Sequence, residues 1–283
     1  MKKSEEIKKE NIRVFDDMSV DYDKLRRVEF TVKEGRRIIR NYEKSLGREF
    51  PCVDKLFVLG CGSGNLLLHY ALMEKAKEFC GIDISPGMIE VCRRNAAALN
   101  QQLHLEVADA ENLPFADNSF DAVMGHAILH HVPDVDKVFR EVYRVMKPGG
   151  FCIFSEPTRK GSRIILTFVY VFWFIPLFFR EILRLLRREK RISVELHIFS
   201  PADIEQRMKT AGFRGVYFNS FAGFVSRIVY WVLDPFARVF KGRSVRGFVD
   251  ALARTLHIVD EKIFSKFIPK DWFDEFVIYA RKE

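Results

Sequence analysis

Between Lys55 and Glu156, short apolar runs alternate with amphipathic stretches, and this alternation constrains the fold more than any other feature. The runs at 55–60 (KLFVLG), 78–85 (EFCGIDIS), 103–109 (LHLEVAD), 120–125 (FDAVMG) and 151–156 (FCIFSE) are too apolar to lie half exposed. Strands of that kind, separated by helices, belong to parallel βαβ units with right-handed crossovers. After the second run, Ser85 and Pro86 supply an N-cap and a first-turn proline, and Ile89, Cys92, Ala96 and Leu99 line one apolar face. A further helix is predicted to open near Pro133, with Val135, Val138, Phe139, Val142, Val145 and Met146 along one side. The segment 147–150 (KPGG) reads as a turn. The expectation is an α/β fold with a doubly wound, mostly parallel sheet.

A chain of 283 residues, 48% hydrophobic and 30% charged, has the composition of a globular protein with a substantial core. Its net charge of +8 suggests an anionic partner, either a membrane surface or nucleic acid. The five cysteines (Cys52, Cys61, Cys80, Cys92 and Cys152) form no CxxC pair and lie mostly in apolar runs, which points to a reduced, cytoplasmic compartment. The opening MKKSEEIKKENIRVF has no apolar core of the kind a secretory signal needs.

In open α/β sheets, ligands bind at the carboxyl ends of the strands, near the point where strand order reverses. The first run ends in Gly60-Cys61-Gly62-Ser63-Gly64. Glycines there allow a tight turn and close approach to a ligand, and the next helix offers free N–H groups. The second run ends in Asp83-Ile84, an acid 23 residues after Gly60 that could accept both hydroxyls of a ribose. The third ends in Asp109-Ala110, the fourth leads to His126, and the fifth ends at Glu156. A nicotinamide dinucleotide site would need the spacing GxGxxG, whereas this loop reads GxGxG. His126 and His130 stand four apart, but no third ligand completes a metal site, so no metal is expected.

Taken in order, VLGCGSG, GIDISPGMIEVCRRN, VADAENLPFADNSFDAVMGHAILHHVPD and EVYRVMKPGG resemble the successive motifs of the class I S-adenosylmethionine-dependent methyltransferases. The likeness is to the branch of ubiquinone-type and other small-molecule or lipid methyltransferases. It covers roughly residues 10–157 and resumes at HIFSPADIEQRMKTAGF and EFVIYARK. The resemblance implies a Rossmann-like methyltransferase fold of seven strands and S-adenosyl-L-methionine as cofactor. It implies that Gly60, Cys61, Gly62 and Gly64 border the methionine part, and that Asp83 and Ile84 lie at the ribose. Asp109 would meet the adenine amino group, with Ala110 beside the ring, and His126 would stand near the reacting methyl. Tyr22, in FDDMSVDYDK, falls where the family's N-terminal segment folds over the cofactor. The family has an acid two residues before the first glycine, and this chain has Val58. Contacts to the cofactor's amino group would then come from the backbone or elsewhere.

Methyl transfer from a sulfonium requires alignment and exclusion of water, and a general base only if the acceptor carries a proton to lose. His126 and Glu156 are the candidate catalytic residues, while His130 and His131 fit a packing role as well as a catalytic one.

Two insertions enlarge the family pattern. The implied organisation is an N-terminal helical lid (1–45), a cofactor-binding core (46–157), a first cap insertion (158–199), a continuation of the core (200–221), a second cap insertion (222–270) and a last core strand (271–283). In the first insertion, 164–179 carries no charge, yet as a helix it would extend only about 24 Å, short of the ~30 Å hydrocarbon core. Pro176 would kink it, and Arg180, Arg184, Arg187, Arg188 and Arg191 then fall on one helical face. That is the pattern of an interfacial helix facing anionic lipid. In the second, Val245, Val249, Leu252, Leu256, Val259, Ile263 and Phe267 repeat at helical spacing, preceded by a polar stripe of Arg227, Asp234, Arg238 and Lys241.

The expected function is methylation of a hydrophobic, lipid-like or isoprenoid acceptor at the cytoplasmic face of a membrane, with peripheral contact through 164–191. The alternatives are a soluble methyltransferase for an aromatic or polyketide-like substrate, with a cap that forms a homodimer, and a non-catalytic cofactor-binding module. Nucleic acid is not the expected partner, because no aromatics are interleaved with the basic residues as stacking platforms.

Overall fold

The computed structural model of the chain describes residues 2–26, 28–158, 199–220, 225–226, 228–229, 233, 243–263, 266–267, 273 and 275–283. Three helices come first: α1 (Lys2–Ser19), α2 (Tyr22–Arg26) and α3 (Val32–Leu46). Strands and helices then alternate through β1 (Val53–Leu59), α4 (Asn65–Leu72), β2 (Ala76–Asp83), α5 (Pro86–Ala98) and β3 (His104–Val107). Next are β4 (Phe120–His126), α6 (Val135–Val145) and β5 (Met146–Pro157). The described elements end with α7 (Pro201–Thr210), β6 (Arg214–Ser220), α8 (Arg243–Lys262) and β7 (Glu275–Arg281).

The seven strands form one sheet in the order β3-β2-β1-β4-β5-β7-β6. β3, β2, β1, β4 and β5 pair in parallel, and strand order reverses between β1 and β4. β7 runs the other way. Gly149 N–H donates to Lys282 O at 2.8 Å and Lys282 N–H to Gly150 O at 3.0 Å, which sets the end of β7 beside the start of β5. The expected doubly wound, mostly parallel sheet of seven strands is therefore the one found.

Burial explains why four of the runs lack alternation; the third, expected to be covered on both faces, is edge strand β3, where none of His104–Val107 is buried because the strand has only one neighbour. Leu56, Phe57, Val58 and Leu59 are all essentially inaccessible, so both faces of β1 are covered. Ser85 caps α5 by accepting the Met88 N–H, with Pro86 in the first turn. α6 turns its buried stripe of Val135, Val138, Phe139, Val142 and Val145 inward, and Phe139 meets Phe154 edge-on at 5.8 Å. Two boundaries differ from expectation. α6 starts at Val135, because Asp134 is the side chain that caps it, accepting the Lys137 N–H at 2.9 Å. KPGG lies inside β5: pairing starts at Phe120–Met146, slips, and resumes at Ala122–Phe151, so the four residues bulge out of the ladder. Gly149, with φ +79°, permits that excursion.

The chain divides into two compact units, one gathering 1–156, 194–219 and 277–283, the other 157–193 and 220–276. Within the second, buried Asp260 of α8 accepts the N–H groups of Val225 and Ser226, both at 2.9 Å. α8 ends at Lys262, short of the predicted stripe, and Ile263 and Phe267 beyond it are exposed. The segment 164–191 and the polar stripe of Arg227, Asp234, Arg238 and Lys241 lie outside the described residues. Among the described residues, no helix is long and apolar enough to cross a membrane.

Phe139 sits where α6 meets β5, and its ring lies 6.4 Å from that of Phe213. Phe139→Ala should therefore cost about 3–5 kcal/mol of stability, read as a lowered urea midpoint with an unchanged slope.

Candidate cofactor and reaction site

β1 runs into the glycine loop, where Cys61 N–H donates to Ile82 O at 2.8 Å and Gly64 N–H to Cys61 O at 2.9 Å. Gly60 has φ +64°, and a Cβ there would stand 2.6 Å from the Ile128 side chain, so the loop closes against the segment after β4. Gly62 has φ +53° and a Cβ there would meet nothing within 4 Å, so its backbone faces open space. The Cys61 thiol is buried against Cys92, and that contact and burial together hold it protonated. Cys61 contributes backbone, not sulfur chemistry.

Asp83 closes β2 and is wired into this loop. Its Oδ2 accepts the Gly62 N–H at 2.9 Å and its Oδ1 the Ser85 N–H at 3.0 Å. Burial pushes the Asp83 carboxyl above its ordinary range, and the N–H groups of Ser85, Gly62 and Ile84 partly offset that push. A carboxylate with two oxygens can accept further donors, the requirement for holding a diol.

Beyond β3, Asp109 accepts the Glu111 N–H on Oδ1 at 2.9 Å, and Ala110 is buried beside it. Lys8 of α1 places its ammonium 2.7 Å from both Asp109 Oδ2 and Glu111 Oε2. The other Glu111 oxygen accepts the Asp134 N–H at 3.0 Å. α1 is further tied down by Asn11, which donates to His131 O at 2.7 Å, and by Asp16, which accepts the Gly87 N–H at 2.9 Å and the Ser85 hydroxyl.

At the end of β4, His126 Nδ1 lies 3.2 Å from both the Tyr42 and Ser155 hydroxyls. The next residue, Ala127, has φ +54°, a left-handed conformation that a non-glycine residue holds only when its surroundings impose it. Glu156 imposes it from beneath. Fully buried, its Oε1 accepts the N–H groups of Ile128 (2.9 Å) and Leu129 (2.8 Å), and its Oε2 meets His130 Nδ1 at 2.6 Å. His131 packs edge-on against Phe15 of α1 at 5.1 Å. Val58 is buried within β1. Among the described residues, no cluster of His, Cys, Asp and Glu has the form of a metal site.

This donor and acceptor set fits an adenosyl amino acid: an open glycine backbone, an acid with two oxygens for a diol, and an acid beside a small residue for an amino-purine. A Methyltransferase domain model matches residues 57–154. The demethylmenaquinone methyltransferase of Symbiobacterium thermophilum is 31% identical over 223 residues, covering 74% of this chain and 87% of that one. The chain belongs to the class I S-adenosylmethionine-dependent methyltransferases of ubiquinone type. A second relative of this methyltransferase is the ubiquinone/menaquinone biosynthesis C-methyltransferase UbiE of Desulfotalea psychrophila, 32% identical over 215 residues, covering 74% of this chain and 84% of that one. The fold of this methyltransferase is also that of phosphoethanolamine N-methyltransferase 2 of Haemonchus contortus, solved with S-adenosylhomocysteine. The TM-score is 0.57 at 18% identity, over 87% of this chain and 52% of that one. The cofactor of this methyltransferase is S-adenosylmethionine.

Structure thus gathers Gly60, Gly62, Asp83, Asp109, His126 and Glu156 on one edge of the sheet, and adds groups that local motifs do not flag. Lys8, Asn11, Asp16 and Tyr42 reach the site from 69 to 120 positions away. Their only sequence signal was the proximity of some of them to FDDMSVDYDK.

An ionised Asp83 accepts hydroxyl donors, and protonation removes an acceptor. Because its pKa is raised, acidification should weaken cofactor binding from a higher pH than an ordinary carboxylate would dictate. Titration calorimetry with S-adenosylhomocysteine, stepped from about pH 8 to about pH 5, checks this against Asp83→Asn. That variant should bind about tenfold or more weakly at neutral pH, with a flatter profile.

Proposed function

We propose that this methyltransferase methylates a quinone-like, lipophilic acceptor, using His126 as the base, and that it works at a membrane surface. Within that proposal Gly60, Cys61, Gly62, Gly64, Asp83, Ile84, Asp109 and Ala110 hold the cofactor, and His126 borders its reacting methyl. When bound, the cofactor supplies an electrophilic methyl group on a sulfonium. The observation that carries the reading is the setting of His126. Its Nδ1 is flanked by two hydroxyls, and either oxygen can accept an Nδ1–H, which leaves the Nε2 lone pair for a proton. A ring carbon that gains a methyl must shed its proton, and Nε2 receives it. Glu156 acts through position: its three bonds hold the segment 128–130 that follows His126.

The acceptor class is supported by the relatives that bear the names of menaquinone and ubiquinone enzymes. The membrane part rests on the sequence of 164–191, with its uncharged run and one-sided arginines.

The test is turnover of a reduced naphthoquinol carrying a prenyl tail. Wild-type protein should methylate it, and His126→Ala should lose about 10²-fold or more in kcat while S-adenosylhomocysteine affinity stays within about threefold. A loss of affinity equal to the loss of rate would make His126 a binding residue only. For the membrane part, the full chain should co-sediment with anionic vesicles in preference to neutral ones, an advantage that fades with added salt. Equal partitioning to both would leave a lipophilic substrate without a surface step.

A further inference from the structure

Lys8 stands 101 residues before Asp109, yet its ammonium is shared between two carboxylates at 2.7 Å each. Its side chain is only 13% exposed and that of Glu111 only 5%, so this is not a solvent-screened surface pair of negligible worth. Each remaining oxygen is also engaged: Asp109 Oδ1 by the Glu111 N–H and Glu111 Oε1 by the Asp134 N–H. α1 is locked in the register that delivers Lys8, because Asn11, one turn further on, donates to His131 O. Burial alone would lower the Lys8 pKa, but the bonds to Asp109 and Glu111 more than offset it, so the ammonium stays charged at neutral pH. Without this cation two carboxylates would face each other across a few ångströms. One would then turn away.

We infer that Lys8 is the positioning residue of the adenine subsite, holding the Asp109 carboxylate in the orientation by which the site distinguishes an amino-purine from an oxo-purine. The inference rests on the reading of Asp109 as the partner of the adenine amino group. An ionised carboxylate only accepts, so it bonds the 6-amino group of adenine and repels the 6-oxo group of hypoxanthine. Lys8 therefore sets which base the site prefers, without touching the base.

The experiment compares S-adenosylhomocysteine with S-inosylhomocysteine by titration calorimetry on the full chain. Wild-type protein should favour the adenosyl ligand by at least tenfold. Lys8→Met should weaken the adenosyl ligand about tenfold while leaving the inosyl ligand unchanged, and Lys8→Arg should restore the preference. The double variant Lys8→Met with Glu111→Gln removes the facing charge and offers Asp109 an amide donor in place of the ammonium, so it should recover most of the preference. That rescue distinguishes positioning from packing, because a lost helix contact would not return. Asp109→Asn separates the two readings. If it leaves the preference intact, Asp109 is not the adenine partner and the inference falls with that reading. If Asp109→Asn abolishes the preference while Lys8→Met weakens both ligands equally, or neither, Lys8 merely anchors α1 and the inference alone is wrong.

Discussion

Parallel strand pairing is the constraint on which the rest depends. In a parallel ladder every carboxyl end falls on the same edge, so five chain exits share one rim of the sheet. The register shows how closely they converge. Leu59 pairs with both Ile82 and Gly125, Asp83 with Val107, and His126 with Ser155. The glycine loop, Asp83, Asp109, His126 and Glu156 are thus neighbours by topology before any side chain is placed. The central stretches of β1, β2, β4 and β5 are buried, which leaves the rim as the place where polar groups can meet a ligand.

Two carboxylates show how polar groups are used at that rim. Glu156 is fully buried and Asp83 half-buried, a costly arrangement unless the charge is hydrogen-bonded. Asp83 meets backbone N–H groups from the glycine loop and from the start of α5, so the two loops and the acid form one rigid piece. Glu156 does the same for the loop after β4, and in doing so supports the left-handed Ala127 beside His126. Strain and desolvation are concentrated where ligand geometry must be precise, and the satisfied hydrogen bonds keep them from unfolding the edge.

The N-terminal helices complete the site from outside the α/β pattern. α1 crosses from Asp109 to the start of α5 through Lys8, Asn11 and Asp16, and Tyr42 of α3 reaches His126. Close approach is possible because Gly87 has no side chain: a Cβ there would stand 2.8 Å from Ser19 Oγ. The ammonium of Lys8 stands between Asp109 and Glu111, two acids that lie two positions apart in the loop after β3.

The sequence by itself determined the sheet, its helices and the chemical identity of the strand-end residues. Those depend on local burial periodicity, caps and glycine conformations, each encoded within a few residues, as with Ser85-Pro86 and Gly60-Cys61-Gly62. The bulge at KPGG and the start of α6 at Val135 escaped it, because one is decided by a partner strand and the other by the Asp134 cap. Only the tertiary structure decided that Lys8 bridges Asp109 and Glu111, that Tyr42 and Ser155 flank His126, and that Glu156 is spent on backbone N–H groups. These are contacts between residues far apart in the chain, and no local pattern carries them. A lysine on a polar helix face has no sequence mark that separates it from a solvated charge. Its role exists only once the fold brings two carboxylates to the same point.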